Sequence, residues 1–230
     1  MKMIKKRIIV MLVFLLAGTM LVSAQAQTQE QKDNYTKVIT ARSAKVVTNI
    51  GITDSTSKKF IKVRDILVDH YRVTGAIYDD RNAAVKTLKA DPATDKATVN
   101  AKIEALDSVA DVKIAKHHKE FLATLGKELN AEQVEKVKDE LTYKKVAVTY
   151  NAYVDELPQL TEAQKTQIKT WLIEAREKAI DAGSSDAKTA IFGKYKGRIN
   201  NFLSAQGYDM KKAGEEWQKR LKEKAAVKGQ

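Results

Sequence analysis

The sequence has no cysteine. Disulfides, thiolate metal sites, thiol nucleophiles and a lipid anchor on cysteine are therefore excluded. Proline occurs only twice, at Pro92 and Pro158, and glycine ten times in 230 residues. With so few chain breakers, and little β-branched alternation, the chain reads as helical. Several chemical signatures are missing too. There is no G-x-S-x-G, no P-loop, no dinucleotide fingerprint and no H-E-x-x-H. The three histidines, His70, His117 and His118, include no i,i+4 pair, so no helical zinc site is signalled. His117-His118, between Lys116 and Lys119, reads as exposed. Asp181-Ala182-Gly183-Ser184-Ser185-Asp186 begins like a calcium loop, but its twelfth position is Phe192 where a bidentate glutamate is needed. No metal and no cofactor is expected.

What is present begins at the N-terminus. Met1 to Arg7 is basic, Ile8 to Val22 is apolar, and Ala24 and Ala26 supply small residues for cleavage. This pattern predicts a signal peptide over residues 1–26 and an exported chain over 27–230, periplasmic or secreted. The alternative is a retained N-terminal anchor. No later stretch is apolar for long enough to span a membrane.

The net charge is +12, and without residues 1–26, which hold four basic residues and no acid, it is +8. The excess gathers at the C-terminal portion from about 194, where ten basic residues face four acids. Such an end on an exported protein suits a polyanion. Nucleic acid is a poor partner outside the cytoplasm, so acidic polysaccharide or anionic headgroups fit better. The competing reading is a lysine-rich helix that is simply well solvated.

Apolar spacing predicts helices from about Asp33 to Thr48, Ser55 to Leu88 and Lys96 to Leu125. Gly51 and Gly126 are read as stops, Gly75 as a candidate bend, and Thr53-Asp54-Ser55 as caps. Asp91 to Asp95 is the clearest connector. Asn130 with Gln133, and Thr161 with Gln164, have capping-box spacing and start the next helices. A shorter segment, Val146 to Leu157, lies between them and is closed by Pro158. Further helices carry Ile168, Trp171 and Leu172, then Ile191 to Leu203, then Met210 to Ala226. The expected fold is one all-α, helical-bundle-like domain of about seven or eight helices.

Ile191 to Asp209 concentrates the unusual residues. Ile191, Tyr195, Ile199, Phe202 and Leu203 make an ordinary core stripe. Gly193 and Gly197 share the far side, each costing a helix about 1 kcal/mol relative to alanine. They mark a packed neighbour, a break at Gly193, or a ligand gripped by Lys194, Lys196, Arg198, Asn200 and Asn201. Tyr208 and Trp217 are candidate stacking platforms for a sugar. Gly207 reads as a helix stop and Asp209 as the next cap.

Leu160-Thr161-Glu162-Ala163-Gln164, with a variant at Leu129, resembles the LTxxQ signature of periplasmic stress chaperones, small all-helical proteins that cradle unfolded clients. The resemblance covers about ten residues, and a staple ahead of a capping box gives the same pattern from local helix physics. More broadly, the signal peptide, the segments Thr142 to Tyr153 and Trp171 to Lys188, and Phe192 to Asp209 resemble an uncharacterised domain family of exported Bacteroidota proteins. That resemblance spans most of the mature chain. It implies a polysaccharide-use context and no particular activity.

Three functions follow as expectations. The first is non-catalytic binding of an acidic glycan or other polyanion. The second is a chaperone-like interaction protein, which needs an exposed apolar concave surface. The third is a helical lyase or hydrolase for uronic-acid polymers, which needs Tyr195 or Tyr208 beside a cation and a perturbed acid or base. No catalytic residue is assigned, and the sequence leans away from an enzyme.

Overall fold

The computed structural model describes residues 29–228, and the expected signal peptide lies outside them. Among the described residues the chain forms eight α-helices and no strand: α1 (Gln29–Asn49), α2 (Lys58–Ala90), α3 (Lys96–Glu128), α4 (Ala131–Leu141), α5 (Lys145–Glu156), α6 (Glu162–Ala179), α7 (Ser185–Ala205) and α8 (Met210–Lys228). No helix among them is long and apolar enough to cross a membrane.

Polar side chains start most of these helices by accepting from free N–H groups of the first turn. Ser57 accepts from the Phe60 amide, Asp95 from Ala97 and Thr98, and Ser184 from Ala187. Both expected capping boxes form, at Asn130/Gln133 and at Thr161/Gln164. Thr53-Asp54-Ser55 does not cap α2. Asp54 instead shapes the turn before it, accepting from the Thr56 amide at 2.9 Å. Gly51 and Gly207 adopt φ of 92° and 91° just beyond their helices, as stops do. Gly126 and Gly75 are corrections. α3 runs on to Glu128, and α2 passes Gly75 unbroken with the Tyr35 hydroxyl lying against it. An isolated glycine lowers helix stability but does not end a helix whose other residues are packed.

The helices pair as two groups. α1, α2, α3 and α4 contact one another, as do α5, α6, α7 and α8, and α4 on α6 is the principal contact between the groups. Each group has its own core. Val47, Val63, Leu67, Phe121, Leu125, Val137 and Leu141 belong to the first, Tyr153, Ile168, Leu172, Phe192, Ile199 and Leu203 to the second. Each such side chain stabilises the fold by about 1.5–3 kcal/mol on burial. Ile180 is the one buried residue of the first core that lies beyond Leu141.

The seam between the groups is otherwise polar. Arg176 of α6 is buried and pairs with Glu135 and Asp139 of α4. Lys138 of α4 reaches Glu177 of α6 at 3.0 Å. The Lys188 ammonium of α7 donates to the carbonyls of Leu141 at 2.9 Å and Ile180 at 3.3 Å.

Two further features bear on function. The α4–α5 turn holds Tyr143 and Lys144 at φ of 58° and 54°, left-handed for both. At the other end, the α2–α3 hairpin outruns its neighbours. No residue from Lys86 to Val109 is buried, and Arg81 braces the pair by a 2.6 Å ion pair to Asp107.

Candidate functional site

α7 runs without a break through Gly193 and Gly197, and a Cβ added at either would meet nothing within 4 Å. No neighbouring helix packs on the glycine face, and the helix does not break there. The core stripe lies opposite. Phe192, Ile199 and Leu203 are buried, with Ile191, Tyr195 and Phe202 packed at the margin of the second core.

Of the expected binding residues, the structure brings three together. Lys196 and Asn200 of α7 and Trp217 of α8 line one cleft of about 370 Å³, completed by α5 through Val148, Tyr153 and Glu156. The Asn200 amide is not free, because its oxygen accepts from the Tyr153 hydroxyl at 2.6 Å. Burial, and then the Glu156 charge, push the Tyr153 phenol well above its ordinary value. Burial also raises the Glu156 carboxyl, against the opposing pull of Lys196 and Arg220. Trp217 is half-buried, and its N–H donates to Asp155 at 2.7 Å. That bond fixes the indole and is the first cause of a lowered Asp155 carboxyl.

Trp217 and Glu156 also line a second cleft of about 610 Å³, edged by Lys219 and Lys222 of α8. The two clefts therefore adjoin along α8, with the indole and the Glu156 carboxyl between them. The other expected residues lie elsewhere. Arg198 pairs with Glu174 at 3.4 Å and its guanidinium sits 4.4 Å from the Trp171 ring centroid. Lys194 and Asn201 are exposed. The Tyr208 hydroxyl donates to Gln164 at 2.9 Å, in a separate cleft of about 410 Å³ with Gln159 and Lys212.

Sequence reasoning missed the polar cluster at the seam. His70 is buried, its Nε2 lies 3.2 Å from the Ile180 carbonyl, and its Nδ1 lies 3.2 Å from His117 Nε2. A carbonyl only accepts, so Nε2 carries the His70 proton and Nδ1 accepts from His117. His118 Nδ1 meets the buried Asp181 carboxylate at 2.8 Å. The His117-His118 pair is thus half-buried rather than exposed, because its partners arrive from α2 and the α6–α7 turn. Desolvation drives His70 down to about 4, and the Asp181 hydrogen bond raises His118. Burial lowers Lys188 to about 8. Among the described residues no three His, Asp or Glu side chains are placed to hold a metal ion. The signal for part of this cluster was available. Lys188 shares a helical face with Phe192, Ile199 and Leu203, and a lysine on an apolar stripe is buried with partners.

A family model described as a protein of unknown function, DUF3826, matches residues 36–223. No curated protein matches the chain.

Proposed function

Because the chain belongs to the DUF3826 family, whose description assigns no activity, we propose a function from the clefts themselves: non-catalytic binding of an acidic glycan outside the cytoplasm. The observation that carries the reading is the pair of adjoining clefts that share Trp217 and Glu156 and are edged by Lys196, Lys219 and Lys222. Adjoining clefts suit a linear polymer better than a single small molecule. A half-buried indole, locked by Asp155, offers a preformed surface for a sugar ring at little entropic cost. The lysines supply salt-sensitive attraction for carboxylates along the polymer.

The rival readings have less behind them. Large exposed apolar side chains are spread over α1, α2, α3, α5, α6 and α8, which favours no single client-binding surface. Tyr195 packs against the second core with the Lys178 ammonium 5.8 Å from its ring centroid, and Tyr208 is engaged by Gln164.

Affinity electrophoresis tests the proposal. The protein should be retarded in gels containing polygalacturonate, unaffected by neutral glucan, and less retarded as salt rises. Lys196→Ala combined with Lys222→Ala should weaken the retardation severalfold. Equal mobility in every gel, or equal retardation by the neutral polymer, would rule the reading out.

A further inference from the structure

A second basic cavity lies in the other half of the molecule. It occupies about 410 Å³ between α1, α2 and the α4–α5 turn. Arg42 and Lys45 of α1 enter from one side, Tyr71 of α2 forms part of the lining, and Tyr143 and Lys144 close it from the turn. Neither Arg42 nor Lys45 makes an ion pair among the described residues. One acid also lines the cavity, Glu140, and it is already occupied. It pairs with Lys144 at 2.9 Å and accepts from the Asn49 amide at 2.7 Å. Two uncompensated cations therefore face the space.

The tyrosines add donors. Burial pushes the Tyr71 phenol up to about 12, Tyr143 adds to the rise and Arg42 opposes it. Both groups thus lie close enough to the Tyr71 hydroxyl for their charges to reach it. The Tyr71 and Tyr143 hydroxyls accept or donate no hydrogen bond among the described residues. A phenol held protonated beside a guanidinium is a donor for an oxyanion.

Tyr143 is also held in place at a cost. It and Lys144 occupy the left-handed region, where a residue with a Cβ loses on the order of 1 kcal/mol relative to glycine. The strain buys no burial, for Tyr143 remains 54% exposed. What the turn does achieve is to bring the Tyr143 ring and the Lys144 ammonium onto the rim of the cavity. The turn also closes α4, the Lys144 amide donating to the Asp139 carbonyl at 2.7 Å, and strained backbone of this kind clusters at ligand clamps and active sites.

We propose that this cavity is a binding site for the oxyanion group of a small ligand, a sugar carboxylate or a phosphate, held by Arg42 and Lys45 with the Tyr71 and Tyr143 hydroxyls as hydrogen-bond donors. The site stands apart from the α5–α7–α8 clefts and does not depend on them.

Calorimetric titration of the purified protein with galacturonate, galactose and inorganic phosphate tests the assignment. Galacturonate binding without phosphate binding identifies a sugar acid, and the reverse identifies phosphate. Arg42→Ala with Lys45→Ala should weaken the bound ligand at least tenfold, and Lys102→Ala, at an exposed position of α3 away from both sites, should leave it unchanged. Tyr143→Gly should weaken binding while the melting temperature stays equal or rises, since glycine relieves the turn. That variant separates lost recognition from lost folding. The proposal is overturned if neither anion binds, if galactose binds as well as galacturonate, if the Arg42/Lys45 variant binds normally, or if Lys102→Ala weakens binding as much as that variant does.

Discussion

His70 is the residue through which pH reaches the fold most directly. Its folded value, about 4, lies below the ordinary 6.5, so the unfolded chain binds its proton first as pH falls. Stability is therefore full above about 6.5 and is lost as pH drops through 4, by about 3 kcal/mol for a shift of this size. His118 has the opposite sign. Its value is raised by Asp181, so its contribution is present below 6.5 and fades as pH rises through the folded value. Urea unfolding between pH 4 and 7 should show an acid limb that flattens in His70→Gln. An equally steep limb in that variant would remove His70 from the account. None of this was legible locally. His117 and His118 sit among lysines in sequence, and their partners are 47 and 63 positions away. Long-range pairing has no periodic signature, whereas the capping boxes, whose partners are three residues apart, could be read directly.

At the scale of elements, α7 carries a testable surplus of flexibility. Gly193 and Gly197 lie mid-helix with open space where a Cβ would go. Gly193→Ala and Gly197→Ala should each stabilise the protein by about 1 kcal/mol, raising the melting temperature by about 2–4 °C. A loss of stability would mean that something packs on that face after all. The helix itself was legible from its apolar stripe, and so was the stop at Gly207. Whether the glycine face met a neighbour was not, because a gap on one helix says nothing about where the next one lies. The same limit explains why Lys196, Asn200 and Trp217 line one cleft while Lys194, Arg198 and Tyr208 lie outside it. Sequence places residues on a face of one helix, and only packing decides which faces meet.

The molecule as a whole is uneven in its stability. The distal α2–α3 hairpin has no buried residue from Lys86 to Val109, and few buried contacts mean low local opening free energy. Native-state hydrogen exchange should find the hairpin tip least protected among the helical segments, with protection rising toward Leu67 and Leu125. Uniform protection along α2 and α3 would contradict this. Composition and cap spacing anticipated the all-α class and the number of helices. The division into two cores was hidden, since each half uses the same apolar alphabet.

That division has a consequence for how such a chain can change over generations. The buried members of the first core come from residues up to Leu141, save Ile180, and those of the second begin at Val146. Apart from Ile180, each core is thus one contiguous block of the gene. A crossover within the Thr142–Lys145 turn would carry a complete interior with it, leaving Ile180 and the polar contacts of the seam as the only parts to be matched. The two blocks are free to accumulate substitutions at separate tempos, because distant packing changes add rather than interfere.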